Sequence, residues 1–266
     1  MPNAYRGSAI IQVRQPTTMP SARSPSRLQR TEPVIPPAAP SLRIPWSLLG
    51  PYDHATAWRG RRWHRLQPLD RRRPCPPTRV SLLAAADGLH ARFICTSRRI
   101  TAEMRDDGAP LYLQDVVELF AWPSPGDVRA ARYLEHEVSP AGSCLTLIIA
   151  SDGRPRARWT PWGLAPADRP RQRVTIRRQH GRVCGWDVDV VLPWTLFTGL
   201  GVVPPVAGSC WRGNLTRIDH AQGGERFAAW SLPPVVDFHR LDALGEWCFE
   251  APPSAPRTRR RSKSGR

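Results

Sequence analysis

Residues 78–95 read TRVSLLAAADGLHARFIC, and this stretch decides the fold class. Residues 78–86 form an apolar run, and in the following run, 89–95, apolar residues alternate with His90 and Arg92. An alternation of period 2 is typical of a β-strand with one buried face. Asp87-Gly88 between the two runs predicts a two-residue hairpin turn, because a type I′ turn needs positive φ at both central residues.

The same pattern continues towards the C-terminal end of the chain. Turn residues such as Pro140-Ala141-Gly142 and His180-Gly181 separate the further runs. Helical periodicity is weak, and no long repeat is visible. The other strand candidates are residues 115–122, 133–138, 144–150, 172–179, 183–192, 212–218, 226–230 and 244–249. Short strands with turn residues between them predict an all-β fold, an antiparallel β-sandwich of the jelly-roll or immunoglobulin type.

Both ends of the chain differ from this patterned region. Residues 1–44 and 251–266 are rich in Pro, Ser and Arg and show neither a period of 2 nor one of 3.6. They cannot bury enough apolar surface to offset the entropy of ordering them, so we expect both ends to be disordered. Residues 45–250 then form the sandwich domain, although their first part contains the loop-like run Arg71-Arg72-Arg73-Pro74.

The formal net charge of +17 belongs mainly to the ends. Residues 1–44, 45–75 and 251–266 carry +5, +5 and +6, which leaves +1 for residues 76–250. Nucleic-acid binding requires a contiguous basic face, and the patterned region does not predict one. All but one of the 39 basic residues are arginine, which is typical of a GC-rich coding sequence. We therefore do not expect nucleic acid to be the partner.

The N-terminal residues bear on where the protein resides. Residues 1–14 lack the apolar segment of a signal peptide, since Ala9-Ile10-Ile11 is too short. No stretch approaches the roughly 20 apolar residues of a membrane-spanning helix. We expect a cytoplasmic protein without a membrane span, and export stays open if translation starts elsewhere, for example at Met19.

Six cysteines occur, and none of them belongs to a C-x-x-C pair. This argues against a zinc ribbon and against a thioredoxin-type motif. Cys95, Cys144, Cys184 and Cys248 lie within or beside apolar strand candidates. We expect buried free thiols in a reducing compartment, with disulfides as the alternative for an exported chain.

Five segments of the chain are also similar to one known family. They are PLYLQDVVELF at 110–120, YLEHEVSPAG at 133–142, WDVDVVLPW at 186–194, WRGNLTR at 211–217, and the closing block with AWS at 229–231 and DFH at 237–239. In this order, across residues 58–250, they resemble family 9 carbohydrate-binding modules and their stand-alone relatives. The resemblance implies a β-sandwich that binds a glucan- or xylan-type sugar without cutting it, with a link to carbohydrate catabolism.

The resemblance also implies which residues bind the sugar. Tyr112, six residues before Glu118, and Trp230 in the AWS segment would hold a sugar ring between two aromatic faces. Glu118 would accept hydrogen bonds from sugar hydroxyls, and ionised acceptors make the stronger bonds. Asn214 and Arg217 would be polar partners at the rim of the site. From the residues alone, Tyr112 could instead be a loop residue packed on the sandwich, and Trp230 could belong to the core. Glu118 could form an internal ion pair with Arg217 or another arginine.

Three other functions stay open at the level of sequence. The first is an interaction module on the same fold, with its sugar site lost and its basic tails touching anionic partners. A glycoside hydrolase would need two carboxylates about 5–10 Å apart, for which Glu118, Glu135 and Glu137 are candidates by type. A sandwich domain that binds b-type haem would need axial ligands, and His136 and Met104 are conceivable.

The resemblance further implies that a structural calcium ion is an option. Five aspartates could supply the oxygen ligands that calcium prefers, and no loop has the spacing of an EF-hand. They are Asp106, Asp107, Asp187, Asp189 and Asp219. The sequence assigns no metal ligand among them.

Overall fold

The computed structural model describes residues 39–252, except for 49, 51, 53–54, 127–129, 151–157, 162–164, 166–167 and 221–223. The predicted disorder of residues 1–38 and 253–266 lies outside these described residues. The described part contains strands and short 3-10 turns and no α-helix. None of its helical segments has the length and apolar character needed to cross a membrane.

Fourteen strands form the described fold. They are β1 Ser41–Ile44, β2 His64–Arg65, β3 Gln67–Pro68, β4 Thr78–Ala85, β5 Gly88–Thr96, β6 Val116–Trp122, β7 Arg132–Val138, β8 Cys144–Ala150, β9 Arg158–Pro161, β10 Arg171–Gln179, β11 Arg182–Pro193, β12 Cys210–Asp219, β13 Arg226–Ala229 and β14 Gly245–Phe249. Each of the ten predicted strands corresponds to one of them.

Two sheets make up the sandwich. The nine-stranded sheet has the order β1-β14-β12-β6-β7-β8-β9, with β13 beside β12 and β3 beside β13. The five-stranded sheet has the order β10-β11-β5-β4-β2. Neighbouring strands are antiparallel except for the parallel pair β1–β14. The predicted antiparallel β-sandwich is confirmed.

The two predicted hairpin turns have different outcomes. His180 and Gly181 both have positive φ, 49° and 77°, as the turn between β10 and β11 requires. The turn between β4 and β5 lies one residue earlier than predicted, because Ala85 pairs with Gly88. Gly88 is needed there for close approach, since a Cβ at this position would lie 2.3 Å from the Leu192 carbonyl oxygen.

The sequence pattern predicted that the sandwich begins at residue 45. In the structure it begins earlier, with a strand at residues 41–44. Residues Ser41–Ile44 form β1 and pair with Glu246–Phe249 of β14. Leu42 and Ile44 point into the interior and are buried. A four-residue strand is too short to show a period by itself. Pairing with the edge of β14 and burial of two apolar side chains stabilise β1 as a strand.

The nine-stranded sheet is covered on both of its faces. Its inner face meets the five-stranded sheet in the main core, which includes Leu119, Leu215 and Trp247. Its opposite side, here called the outer face, carries a second apolar cluster that includes Leu111, Phe120 and Phe238. The segments before β6 and after β13 supply Leu111 and Phe238, so these connections cover the outer face. As a result all seven residues of β6 are buried.

One disulfide joins two neighbouring strands of this sheet. Cys210 and Cys248 lie opposite each other in the β12–β14 pair and are bonded to each other. The other four cysteines are free thiols. The prediction of free thiols is therefore wrong for this pair, because the strand pairing brings together two cysteines that are 38 residues apart in the sequence.

Candidate functional site

The structure divides the five predicted sugar-binding residues between the two faces of the nine-stranded sheet. Glu118 and Asn214 lie on the outer face, and Tyr112 belongs to the 3-10 turn Leu111–Leu113, whose Leu111 joins the outer cluster. Trp230 and Arg217 lie on the inner face, between the sheets. Tyr112 and Trp230 are therefore on opposite sides of one sheet and cannot hold one sugar ring between them.

Trp230 belongs to the main core, where only 8% of it is exposed. Its main-chain N–H donates to the Leu215 carbonyl oxygen over 2.8 Å. This hydrogen bond extends the pairing of β13 with β12 by one residue. Its ring meets His64 edge-on, with the ring centroids 6.4 Å apart. The prediction that Trp230 contacts sugar is not compatible with this position, because its ring faces the interior of the sandwich.

Gly245 provides a test of this placement. A Cβ at Gly245 would lie 2.3 and 2.6 Å from two ring atoms of Trp230 and 2.7 Å from the Pro40 carbonyl oxygen. We expect Gly245→Ala to lower the free energy of unfolding by about 1–3 kcal/mol through overpacking. Gly126→Ala is the control, since its nearest atom, the Ser124 carbonyl oxygen, is 4.0 Å away. Equal urea midpoints for the two variants would contradict the placement of Trp230.

Arg217 is fully buried between the sheets, and both of its Nη atoms donate within the protein, whereas its Nε has no hydrogen-bond partner among the described residues. Its Nη2 donates to Asp219 over 2.7 Å, and its Nη1 donates to the Thr78 hydroxyl and the Thr96 carbonyl oxygen, each over 2.9 Å. The guanidinium also lies over the ring of Trp186, 5.9 Å from its centroid. Arg217 therefore links the two sheets, and the predicted roles as a sugar partner or as the ion-pair partner of Glu118 are wrong.

Asn214 is also buried, and its side chain holds a loop in place. Its amide nitrogen donates to the Ser231 carbonyl oxygen over 2.8 Å, and its amide oxygen accepts from the Ser231 N–H over 2.9 Å. The Ser231 hydroxyl in turn donates to the Ala243 carbonyl oxygen over 2.7 Å. The predicted contact of Asn214 with sugar is replaced by this anchoring of residues 231–243, the segment that brings Phe238 onto the outer face.

Glu118 belongs to a cluster of three buried carboxylates on the outer face. It lies opposite Glu137 in the β6–β7 pair, and Glu135 is two residues away on the same face of β7. The carboxylate oxygens of the three residues include a set that lies within 4.8 Å of one another. On its other side, Glu118 faces Thr216 of β12, whose hydroxyl donates to it over 2.5 Å. Glu118, Glu135 and Glu137 are called the glutamate cluster below.

The glutamate cluster has an excess of acceptors. Both carboxylate oxygens of Glu137 and one of Glu135 are buried and accept no hydrogen bond of good geometry from the described residues, although Glu135 and the Tyr112 backbone lie close enough to Glu137 to lower its pKa. None of the ion pairs within the described part of the chain includes a member of this cluster. Buried acceptors without a donor are rare in folded proteins and require an explanation.

Burial changes the protonation of the glutamate cluster. It raises the pKa of Glu118 to about 7, and the Thr216 hydroxyl partly opposes this increase. Burial also raises the pKa of Glu137 to about 9, with the charge of Glu118 adding to the effect. For Glu135, burial and then the charges of Glu118 and Glu137 raise the pKa well above its ordinary value. At neutral pH the cluster therefore retains protons and contains both donors and acceptors.

Tyr112 lies next to this cluster. Its 3-10 turn packs against β7, and its backbone faces Glu137. The carbonyl oxygen of Tyr112 is 3.1 Å from the His220 Nε2 atom, which ties the turn to the end of β12. Tyr112 is 39% exposed, so a tyrosine partly open to solvent belongs to the turn whose backbone contacts Glu137.

The aspartates considered as calcium ligands have other partners. Asp187 binds Arg177 over 2.7 Å, and Asp219 binds Arg217 over 2.7 Å. Asp189 lies 3.4 Å from Arg173. The remaining two, Asp106 and Asp107, lie in an exposed turn, where Asp107 accepts the N–H of Cys144. By number of oxygens, the glutamate cluster fits a hard cation better than these paired aspartates do.

The two chemical alternatives find little support in this geometry. A glycosidase places two carboxyl groups on either side of an accessible sugar bond, whereas all three members of the glutamate cluster are buried. For haem, His136 points to the inner face, with its Nδ1 atom 3.0 Å from the Thr146 hydroxyl, and Met104 packs on the outer cluster. These two side chains lie on opposite sides of the sheet and cannot ligate one iron.

The described residues form a two-sheet β-sandwich. The chain has the fold of family 9 carbohydrate-binding modules. A module of this family from Caldicellulosiruptor kristjanssonii, in complex with glucose, superimposes with a TM-score of 0.56 at 11% identity, over 81% of this chain and 98% of the module. The complex of such a module from the same organism with cellotriose gives 0.54 at 11% identity, over 81% and 96%.

A further solved structure has a higher TM-score. It is a candidate carbohydrate-binding protein from Bacteroides uniformis, with a TM-score of 0.64 at 16% identity, over 80% of this chain and 100% of that one. At the level of sequence, no family profile matches the chain, and no curated protein matches it. The likeness is thus one of fold.

Proposed function

We propose that this protein binds a neutral saccharide of the glucan or xylan type, without cutting it, on the outer face at Tyr112 and Glu118. The observation that carries the proposal is the cluster of three buried, partly protonated carboxyl groups without a cationic partner, next to the turn that carries the exposed Tyr112. Sugar hydroxyls are donors that would satisfy these acceptors, and the C–H face of a pyranose would pack on the tyrosine ring.

Access to the carboxyl groups requires a small displacement of the segment above them. The 3-10 turn Leu111–Leu113 is three residues long, and both Tyr112 and Leu113 are exposed. In the proposed complex the turn moves outward, and sugar hydroxyls enter above Glu118 and Glu137. The protons that the cluster retains at neutral pH let its carboxyl groups donate to the sugar as well as accept from it.

The solved structures of similar fold support this proposal. Two of them are complexes of family 9 modules with glucose and with cellotriose, which are a monomer and an oligomer of one glucan. At 11% identity the residues that contact those sugars do not carry over to this chain. The site proposed here therefore depends on the side chains of this protein.

Calorimetric titration of the full chain with glucose, cellotriose and xylobiose tests the proposal. We expect heat with at least one of these sugars, and a loss of affinity of about tenfold or more in Tyr112→Ala and Glu118→Gln, equivalent to about 1.4 kcal/mol or more. Leu113→Ala is the matched control, because this neighbour in the same turn is exposed and apolar. Unchanged affinity in both variants would place the sugar elsewhere.

A second candidate function is that of an interaction module whose sugar site has been lost. The position of Trp230 on the inner face favours it, because the pair of aromatics expected around the sugar is not formed. This candidate predicts no heat with any neutral sugar. The basic ends of the chain, with their +5 and +6, would then be the parts to test against anionic partners.

A further inference from the structure

The solvent-facing side of the five-stranded sheet carries a row of charged residues. On β5 and β10, three arginines of this row have acidic partners on β11. Arg92 lies 3.6 Å from Asp189, Arg173 lies 3.4 Å from Asp189, and Arg177 binds Asp187 over 2.7 Å. In this part of the sheet, three arginines thus share two aspartates, so most of their positive charge is offset from within the protein.

The other half of the sheet is not compensated. Arg65 of β2 lies directly opposite Arg79 of β4. Both side chains are exposed, and neither has a carboxylate partner among the described residues. Like charges directly opposite each other on neighbouring strands destabilise a sheet, so this pair favours a negative charge between or above its members.

A cleft opens at this pair of arginines. It has a volume of about 320 Å³. Its walls include Trp63, Arg65, Arg79, Ile94, Thr96 and Arg177. This volume falls at the lower end of the range for small-molecule sites in proteins.

The side chains of the cleft are positioned by their neighbours. The guanidinium of Arg79 lies over the ring of Trp63, 5.6 Å from its centroid, and Trp58 supports that ring at 6.1 Å. Arg177 is held by Asp187 and by the Cys95 carbonyl oxygen, to which its Nη2 atom donates over 2.9 Å. Two of the three arginines are therefore oriented before any ligand arrives, which lowers the entropy lost on binding.

We propose that this cleft binds the carboxylate of an acidic saccharide, a hexuronate of one or two rings. Guanidinium groups form paired hydrogen bonds with a carboxylate, and Arg65 and Arg79 supply the uncompensated charge. Ile94 and Pro77 offer apolar surface for the C–H groups of a pyranose, and Thr96 also lines the cleft. The cleft lies on the five-stranded sheet and shares no residue with the outer-face site, so this binding goes beyond the proposed function.

The test is calorimetric titration of the full chain with digalacturonate at low and at high sodium chloride. We expect binding that weakens as salt rises, because the attraction of exposed charges is screened. Arg79→Gln and Arg65→Gln should each lower the affinity about tenfold. Arg178→Gln, an exposed arginine on β10 outside the cleft, should leave it unchanged. Thermal unfolding of each variant checks that the fold is retained.

Three results would overturn the inference. One is an affinity for digalacturonate that is equal in the Arg65, Arg79 and Arg178 variants. The second is glucose 6-phosphate or inorganic phosphate binding with the same sensitivity while digalacturonate does not bind, which would make the cleft a phosphate site. The third is a single-stranded oligonucleotide that displaces digalacturonate and binds more tightly. The same variant distinguishes the two sites. If Arg79→Gln binds cellotriose as tightly as the unaltered chain does, this cleft and the outer-face site are separate.

Discussion

Replacement of Arg217 by methionine should lower the free energy of unfolding by about 3–5 kcal/mol, the range found when one partner of a buried ion pair is removed. The variant leaves the buried Asp219 carboxylate with Arg226 as its remaining cationic partner. It also removes the hydrogen bonds that Arg217 donates to Thr78 and to the Thr96 carbonyl oxygen, which lie on the opposite sheet. Unfolding in urea, followed by tryptophan fluorescence, measures the change.

Arg212 provides the matched control on the same strand. Its guanidinium lies 4.0 Å from Glu246 and both side chains are partly exposed, so Arg212→Met should change stability by less than about 1 kcal/mol. If Arg217→Met were as stable as Arg212→Met, the buried link between the sheets would be refuted. At a temperature where Arg217→Met is folded, we expect its affinity for cellotriose to equal that of the unaltered chain, because Arg217 lies on the inner face.

Replacement of Glu137 by glutamine should make the protein more stable above neutral pH and less sensitive to pH. Burial raises the pKa of Glu137 to about 9 and that of Glu118 to about 7, both above the value of about 4.5 in an unfolded chain. Between these values the folded state binds more protons at these two groups than the unfolded state, so their contribution to stability is greatest below pH 4.5 and falls as pH rises towards 9. Glutamine is neutral at every pH, so Glu137→Gln removes the part of this loss of stability that comes from the ionisation of Glu137.

We expect a gain on the order of a few kcal/mol for Glu137→Gln at pH 8.5, and a much smaller difference at pH 4.5. Glu103→Gln is the control, since this glutamate is exposed. The unfolding series should be run in EDTA and again with calcium, because a bound cation would neutralise the carboxylates and stabilise the original chain instead. A gain that is the same at both pH values would contradict the raised pKa of Glu137.

The strands follow from the alternation of apolar and polar residues. The run at 78–86 became β4, and Leu89, Ala91, Phe93 and Cys95 all point into the main core as their spacing predicted. The His180-Gly181 turn adopts the positive φ values that its residue types favour. Such features depend on residues close together in the sequence, where backbone sterics and the period of 2 act directly.

The site depends on contacts that this alternation does not encode. The pattern locates Glu118, Glu135 and Glu137 on strands, and Glu135 and Glu137 on one face of theirs. It does not reveal that the segments before β6 and after β13 cover that face and bury all three carboxyl groups. Sequence reasoning considered these glutamates as catalytic acids, but burial without partners is a property of the folded chain. The only signal in the sequence was the spacing of Glu135 and Glu137.

The same distinction explains why the predicted pair of aromatics is not formed. Tyr112 lies in the 3-10 turn before β6, whereas Trp230 directly follows β13. A shift of one residue at the end of a strand moves a side chain to the opposite face of the sheet. Ala229 lies on the outer face, so Trp230 turns inward.

The sequence by itself determined the β-sandwich, ten of its fourteen described strands and the concentration of positive charge at the ends, since period, turn chemistry and composition are local. The tertiary structure alone decided the parallel edge strand β1, the Cys210–Cys248 disulfide, the buried link at Arg217 and the glutamate cluster. Each of these depends on which distant strands become neighbours and on which face a loop covers, and burial of the whole chain fixes both.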